Sequence, residues 1–218
     1  MIRLILGLPG SGKTLTAVKF IRECNTPVYT NLDVKLPNAI RLKWDHIIKD
    51  NKINWEFWRT QIKKHGYFSL VIDEIHNVMH ARRSQSKSNV HLSIFFAQIR
   101  KVCGDHEKSH FIAISQELER IDISVRDIAS EIVVCEKAQY NNLVPTTVLQ
   151  ENKTVTRLVP TNIIRLTWFN GGRVLQRYND WRDMGSKTFN YRTVYAGNDL
   201  IKHYDSYTLI DFGNESYI

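Results

Sequence analysis

Short apolar runs alternate with segments of helical periodicity through the first two thirds of the chain. Ile2 to Leu6 is an apolar run that a glycine-rich segment and then a helical pattern follow. Phe68 to Ile72 ends in two acids, which is typical of a parallel strand covered on both faces. Phe111 to Ser115 and Glu131 to Cys135 are two further buried-strand candidates. This alternation predicts an α/β protein with a parallel sheet and right-handed crossovers.

The segments between these runs place apolar residues at helical spacing. They cover Leu15 to Ile21, Trp55 to His65, about Leu92 to Val102, and Ile123 to Ala129. Pro27 to Thr30 is a further short strand candidate. The polar and basic segment Ala81 to Asn89 is predicted to be a loop.

Beyond about Val144, β-prone runs replace the helical pattern. They are Val144 to Leu149, Thr154 to Val159, Ile163 to Phe169 and Arg173 to Tyr178, and Asn170-Gly171-Gly172 between the last two is a hairpin signal. We therefore predict two domains. Residues 1–143 form the α/β core, and residues 144–218 form a β-rich C-terminal appendix packed on that core.

Composition and charge narrow the class of protein. The 218 residues are 43% hydrophobic and 24% charged, which excludes a disordered or fibrous chain. The net charge of +8 favours an acidic partner. Residues 82–101 carry five basic and no acidic side chains, and residues 153–192 carry eight basic and two acidic ones. The positive charge is therefore concentrated in two stretches.

The cysteines and the apolar runs bear on the compartment. Cys24, Cys103 and Cys135 have no metal-like spacing and predict neither a disulfide framework nor a zinc site. No run approaches the roughly 18 apolar residues of a membrane span, and Met1 leads directly into the first strand. We therefore expect a cytoplasmic protein without a membrane span or a signal peptide.

Gly7 to Thr14 fits the P-loop pattern at every required position, between a predicted strand and a predicted helix. The backbone N–H groups of such a loop and the positive end of the helix surround phosphate oxygens. Lys13 is expected to reach the β- and γ-phosphates, and Thr14 to bind Mg²⁺ through its hydroxyl. The residues predicted to bind nucleotide are Gly7, Leu8, Pro9, Gly10, Ser11, Gly12, Lys13, Thr14 and Leu15.

Two further strand ends carry candidate catalytic side chains. Asp73 is predicted to hold Mg²⁺ through water, and Glu74 to activate the attacking water as general base. Gln116 closes the strand Phe111 to Ser115. If that strand lies between the P-loop strand and the Asp73 strand, Gln116 points at the γ-phosphate, and otherwise it is a polar cap. No Asn-Lys-x-Asp motif is present in the sequence, which favours ATP over GTP.

These motifs together resemble a known family. The residues that carry the resemblance are the P-loop, Tyr29-Thr30-Asn31, Val71 to Glu74, Ile112 to Gln116, Ile121-Asp122 through Arg126, and His203 to Ser206. The chain is similar to the zonular-occludens-toxin type of filamentous-phage assembly ATPases, within the HerA/FtsK group of DNA-pumping motors that includes viral packaging ATPases. The resemblance implies a RecA-like P-loop NTPase fold with an additional strand beside a catalytic glutamate. It also implies ATP and Mg²⁺ as cofactors and a ring, a hexamer or pentamer, in which a neighbour's arginine completes each site.

The phage assembly members continue into a membrane-spanning segment that this sequence lacks. We therefore expect a motor that packages a viral genome into a capsid, in the host cytoplasm, with a capsid or portal protein as a further partner. Extrusion of filamentous virions is the alternative role. A nucleotide-binding switch or scaffold is the alternative of another class, whereas Glu74 and Gln116 disfavour a small-molecule kinase.

Basic residues supply candidates for the arginine finger and for contacts with DNA. Arg83 and Arg100 rank ahead of Arg82 and Arg126 as the finger, which stabilises charge on the transferred phosphoryl group. Contacts with DNA phosphates, independent of sequence, are predicted for Arg82, Arg83, Lys87, Arg100 and Lys101. A solvated basic face is the alternative for these residues.

Two other patterns allow a plainer interpretation. Aromatic residues such as Trp168 and Phe169 alternate with arginines in the appendix, which fits stacking on single strands or a core with outward arginines equally well. His76 and His80 are four residues apart but lack the intervening glutamate of a zinc protease. We interpret them as ordinary helix residues.

Overall fold

The computed structural model describes residues 1–78, 87–98, 101, 103–104, 108–150, 153–170 and 191–204. The strands are β1 (Ile2–Leu6), β2 (Val28–Thr30), β3 (Ala39–Arg41), β4 (Ile48–Lys49), β5 (Lys52–Ile53), β6 (Ser69–Ile72), β7 (Phe111–Ser115), β8 (Glu131–Gln150), β9 (Lys153–Asn170) and β10 (Tyr191–Ala196). The helices are α1 (Lys13–Glu23), α2 (Trp44–Ile47), α3 (Trp55–His65), α4 (Ile75–Val78), α5 (Lys87–Ala97), α6 (Ile123–Ile128) and a 3-10 helix (Asn198–His203).

Eight of the described strands form one sheet in the order β10-β9-β8-β1-β7-β6-β2-β3. The six strands from β8 to β3 in this order run parallel. Strand β7 pairs with β1 on one side and with β6 on the other. The predicted P-loop NTPase fold and the inserted strand are therefore confirmed. The carboxyl ends of β1, β7 and β6 meet at one edge of the sheet, where ligands bind in open α/β sheets.

Helices cover both faces of this sheet and enclose two apolar cores. On one face, α1 buries Val18 and Ile21. On the other, Trp58 of α3, Phe95 of α5 and Val125 of α6 pack in a single cluster. Each fully buried side chain of this kind contributes roughly 1.5–3 kcal/mol. The cores fix the strand ends that carry the candidate site.

Strands β8 and β9 differ from the prediction. The runs expected as separate strands, Glu131 to Cys135 and Val144 to Leu149, belong to one 20-residue strand that pairs antiparallel with the 18-residue β9. The register shifts between Tyr140 and Leu143, which marks a β-bulge. The predicted boundary between residues 143 and 144 thus lies inside β8, and the division into two domains stays a prediction. Strand β10 adds to the edge of β9, so the β-rich part extends the core sheet.

Helix α5 begins at Lys87, earlier than the predicted start at Leu92, and ends at Ala97. The end of the predicted loop therefore belongs to the helix. The other predicted helices lie where the periodicity placed them. The strand predicted over Arg173 to Tyr178 lies outside the described residues. Among the described residues, no helix is long and apolar enough to cross a bilayer.

Candidate active site

The P-loop leaves β1 at Gly7 and enters α1 at Lys13. Gly10 and Gly12 have φ angles of 75° and 94°, which side-chain-bearing residues rarely adopt. The backbone N–H of Ser11 donates to the Leu8 carbonyl at 3.1 Å and closes the loop. A Cβ on Gly12 would collide with the Ile164 side chain of β9. The turn therefore requires glycine at both positions, and at Gly12 the close approach of Ile164 adds a second constraint.

Lys13 is buried and turned back onto its own loop. Its Nζ donates to the Gly7 carbonyl at 2.9 Å and to the Leu8 carbonyl at 3.0 Å. Burial lowers the pKa of Lys13, and the nearby carboxylates of Glu74 and Asp73 oppose that shift. The ammonium group thus lies within the loop that would surround phosphate.

Thr14 and Asp73 meet across the carboxyl edge of the sheet. The Thr14 hydroxyl donates to Asp73 Oδ2 at 3.0 Å. The Asp73 side chain is almost fully buried, and burial, followed by the charge of Glu74, raises its pKa to about 6. A carboxylate buried this deeply favours a bound cation, because a cation offsets the cost of its charge.

Asn31 fixes the backbone of Asp73 from the neighbouring strand end. Its Oδ1 accepts from the Asp73 N–H at 2.8 Å, and its Nδ2 donates to the Asp73 carbonyl at 2.9 Å. Asn31 has no exposed surface, and its own carbonyl accepts from Arg41 Nη1 at 2.7 Å. The two hydrogen bonds clamp the peptide that carries the carboxylate. Sequence reasoning assigned Asn31 no role, although a polar residue directly after β2, beside the Asp73 strand, was the available signal.

Glu74 follows Asp73 in a strained conformation, with a φ angle of 50°. A residue other than glycine in this region costs about 1–3 kcal/mol and persists only where the surroundings impose it. Its N–H donates to Asp73 Oδ1 at 2.8 Å, and its Oε1 accepts from Gln116 Nε2 at 3.1 Å. The structure therefore brings the two predicted catalytic side chains into direct contact.

His76 is the unexpected neighbour of Glu74. Its Nδ1 lies 3.2 Å from Glu74 Oε2 and 3.2 Å from the Ser115 hydroxyl. Ser115 donates its own proton to the Glu117 carbonyl at 2.9 Å, so its oxygen can accept from an Nδ1–H of His76. His76 is 6% exposed. His76 lies in α4, as predicted, and α4 turns it inward against the strand ends that carry Glu74 and Ser115, whereas His80 lies outside the described residues.

The residues present fit a magnesium nucleotide. The Ser11 hydroxyl is buried and has no hydrogen-bond partner in the protein. A cavity of about 480 Å³ opens beside the loop, bounded by Leu8, Ser11, Glu136 and Arg165 among others. No cluster of three or more acidic, histidine or cysteine ligands occurs in the described part of the chain. One hydroxyl and one carboxylate suit Mg²⁺, which takes its remaining ligands from phosphates and water.

A comparison with protein families identifies the family of the chain. Residues 3–136 match the model of the ATPase family associated with various cellular activities (AAA). The chain belongs to the AAA family. As a P-loop ATPase of that family it binds nucleotide, and the matched segment runs from β1 into β8 and contains every strand end described above.

This AAA-family ATPase is similar in fold to the N-terminal domain of zonular occludens toxin from Neisseria meningitidis. The TM-score is 0.56 at 18% identity, over 94% of this chain and 98% of that chain. The fold that the sequence resemblance implied is therefore confirmed. The genome packaging NTPase B204 from Sulfolobus turreted icosahedral virus 2, in complex with ATP-gammaS, matches with a TM-score of 0.41 at 14% identity, over 61% of this chain and 74% of that chain. No curated protein matches the sequence.

Half of the basic candidates of the AAA-family chain lie outside its described part. Arg82, Arg83 and Arg100 lie outside the described residues, so their roles as arginine finger and DNA contacts stay predictions. Lys87 begins α5, and Lys101 is exposed. Arg126 is partly buried on α6, and its Nε has no hydrogen-bond partner.

The C-terminal segment of this ATPase reaches the site in two places. The Tyr195 and Thr16 hydroxyls lie 2.9 Å apart, which links β10 to the first turns of α1. The pKa of Tyr204 is raised to about 12 by burial and by the charge of Asp73. Trp168 and Phe169 are buried in the cores, which favours packing over base stacking for these two residues.

Proposed function

We propose that this ATPase is a viral motor that hydrolyses ATP to translocate DNA and that its role is genome packaging into a capsid. The observation that carries the hydrolytic part is the contact between Glu74 and Gln116. It joins a candidate general base to a polar side chain on the strand next to the P-loop. A pure binding module has no need of a strained glutamate held at this position.

The chain's own residues account for the chemistry in order. Lys13 exchanges its two loop carbonyls for phosphate oxygens, and the loop N–H groups hold the rest of the phosphate chain. Thr14 and Asp73 hold Mg²⁺, which when bound neutralises charge on the phosphates. Glu74 accepts a proton from the attacking water, and Gln116 orients Glu74 beside the γ-phosphate. Asn31 holds the Asp73 backbone in place through two hydrogen bonds, so that the carboxylate stays in position to bind the metal.

The translocation part rests on charge and on the motif set. The chain carries a net charge of +8, and Lys101 is exposed after α5. Contacts between such side chains and DNA phosphates are independent of sequence, as a motor requires. An arginine from a neighbouring subunit, Arg83 or Arg100, completes each site of a ring.

A strand-displacement assay tests the proposal. The purified chain with ATP and Mg²⁺ is expected to strip a triplex-forming oligonucleotide from duplex DNA, and to hydrolyse ATP faster when DNA is added. Lys13→Ala, which removes the phosphate-binding ammonium, is expected to abolish both activities. Slow turnover by a monomer, unchanged by DNA, would instead support the nucleotide-dependent switch. Displacement activity in Lys13→Ala would reject the assigned site.

A further inference from the structure

A second group of exposed basic side chains lies on the connection between β3 and β6. It comprises Lys43, Lys49, Lys52, Arg59, Lys63 and Lys64, here called the hairpin-helix surface. All six are exposed, and no ion pair within the described residues neutralises any of them. Exposed acids in the same segment are Asp45, Asp50 and Glu56, so the segment stays positive.

The hairpin part of this surface opposes two like charges. Strands β4 and β5 form a two-residue hairpin whose turn residues, Asp50 and Asn51, have φ angles of 52° and 56°. Lys49 pairs directly with Lys52 across the hairpin. Like charges at directly opposite positions destabilise a hairpin. Within the described residues, no ion pair offsets the repulsion between these two lysines.

The helical part continues the charge along α3. The exposed positions of α3 are 56, 59, 60, 63 and 64, which form one face of the helix. Arg59 and Lys63 are four residues apart, and like charges at that spacing are unfavourable. The helix dipole favours cations in the last turn and so accounts for Lys63 and Lys64. It does not account for Arg59 or for the hairpin pair.

Local contacts hold the hairpin and the helix together. Asn54 caps α3 by accepting from the Phe57 N–H at 3.1 Å, and its own N–H donates to the Ile47 carbonyl at 2.9 Å. Its Nδ2 donates to the Asp45 carbonyl at 2.7 Å. Because β3 runs parallel to β2 and β6, the segment starts at the sheet edge that carries Asp73. The charges are thus fixed on a rigid unit that begins at the nucleotide edge.

We propose that the hairpin-helix surface binds the phosphate backbone of DNA without reading its sequence. This inference rests on the proposed function and adds a contact surface to it. Some exposed cations elsewhere on the described surface are paired, as in Arg22 with Asp199 at 2.6 Å and Arg120 with Glu117 at 2.6 Å, whereas the hairpin-helix surface gathers six unpaired ones in one segment. None of the exposed large apolar side chains lies in residues 39–66, which disfavours a membrane or an apolar protein as the partner. A polyanion such as DNA would neutralise the basic side chains of this surface and would need no apolar contact.

A pair of matched triple variants tests this surface. Lys49→Gln, Lys52→Gln and Arg59→Gln remove three charges from it, and Lys108→Gln, Lys153→Gln and Lys202→Gln remove three exposed charges elsewhere. Anisotropy of labelled single- and double-stranded DNA is measured over a range of salt concentrations. For duplex DNA, the slope of log affinity against log salt is expected to fall by about 2–3 in the surface variant, because each lost phosphate contact removes about 0.9. The control variant is expected to keep the slope of the parent.

Three further outcomes separate the possible failures. Lys49→Arg with Lys52→Arg is expected to retain binding, which shows that charge and not folding is at issue, and ATPase activity without DNA is expected to be unchanged in every variant. An equal loss of DNA affinity in the surface and control variants would overturn this inference but leave the proposed function standing. If the surface variant lost binding to phosphatidylserine vesicles but still bound DNA like the parent, the inference would be overturned in favour of a membrane as the partner. A parent chain that binds no DNA would reject the DNA motor as well.

Discussion

Gln116 Nε2 donates a hydrogen bond of 3.1 Å to Glu74 Oε1, which joins two strand ends 42 residues apart in sequence. The bond exists because β7 lies between β1 and β6. It joins the amide predicted to sense the γ-phosphate to the carboxylate proposed to activate water. Under the proposed function, a change at the phosphate would reach Glu74 through the Gln116 side chain alone.

Removing the amide of Gln116 is expected to slow turnover. A hydrogen bond to a charged group is worth about 1.5–3 kcal/mol, so Gln116→Leu should lower kcat by about 10- to 150-fold. KM for ATP should change little, since Gln116 does not hold the nucleotide. Steady-state ATPase kinetics measure both, with Gln150→Leu at the end of β8 as the control. A raised KM with normal kcat would contradict the assigned role.

His76 is expected to position Glu74 through its Nδ1. In His76→Leu, Glu74 Oε2 loses the imidazole nitrogen that lies 3.2 Å away, and kcat should fall by about tenfold, the equivalent of 1.4 kcal/mol. His76→Asn keeps a donor near the same place and should recover part of the rate. The two variants are compared by kcat and by ATP-analogue binding. Equal activity of both with the parent would show that α4 merely packs His76.

Asp73→Asn is expected to stabilise the metal-free protein while abolishing Mg²⁺-dependent hydrolysis. Burial raises the pKa of Asp73 from 3.8 to about 6, so its folded state prefers the protonated form. The penalty for ionisation is absent below pH 3.8, grows as the pH rises towards 6, and is complete above 6. In thermal unfolding with EDTA, Asp73→Asn should therefore have a higher Tm than the parent at pH 8. This difference in Tm should be smaller at pH 4.5. A gain independent of pH would contradict the assignment.

Asn31→Ala is expected to unfold at a lower temperature than the parent. The change leaves the buried N–H and carbonyl of Asp73 unsatisfied, at about 1–3 kcal/mol for each group. For a chain of this size the loss should lower Tm by roughly 5–15 °C. Asn25→Ala, at an exposed position, is the control and should stay close to the parent. A small shift in Asn31→Ala would mean that the clamp is dispensable.

The P-loop was predicted from local pattern, because a glycine-rich segment between a strand and a helix has few other interpretations. The apolar run ending in Ser115-Gln116 was predicted as a strand, but its pattern left its place in the sheet open, and only the family resemblance implied that it is inserted beside the P-loop strand. The continuity of β8 could not be predicted, since its length depends on pairing with β9 through a bulge. Pattern within a strand does not reveal how far its partner extends.

The contacts of Asn31 and His76 escaped prediction for a related reason. Asn31 acts on the backbone of a residue 42 positions away, and His76 on two strand ends. Neither role follows from residue type or spacing, because each requires the tertiary placement of the partner. The carboxylate pair Asp73 and Glu74, by contrast, is adjacent in sequence and was assigned from its position alone.

Hydrolysis by Glu74→Gln is the most direct test of the account. The variant keeps the shape of the side chain and its contact with Gln116 but cannot accept a proton. It should bind ATP as tightly as the parent and hydrolyse it at least about 100-fold more slowly, with and without DNA. Turnover equal to that of the parent, at equal nucleotide affinity, would contradict the central claim that Glu74 is the general base of this ATPase.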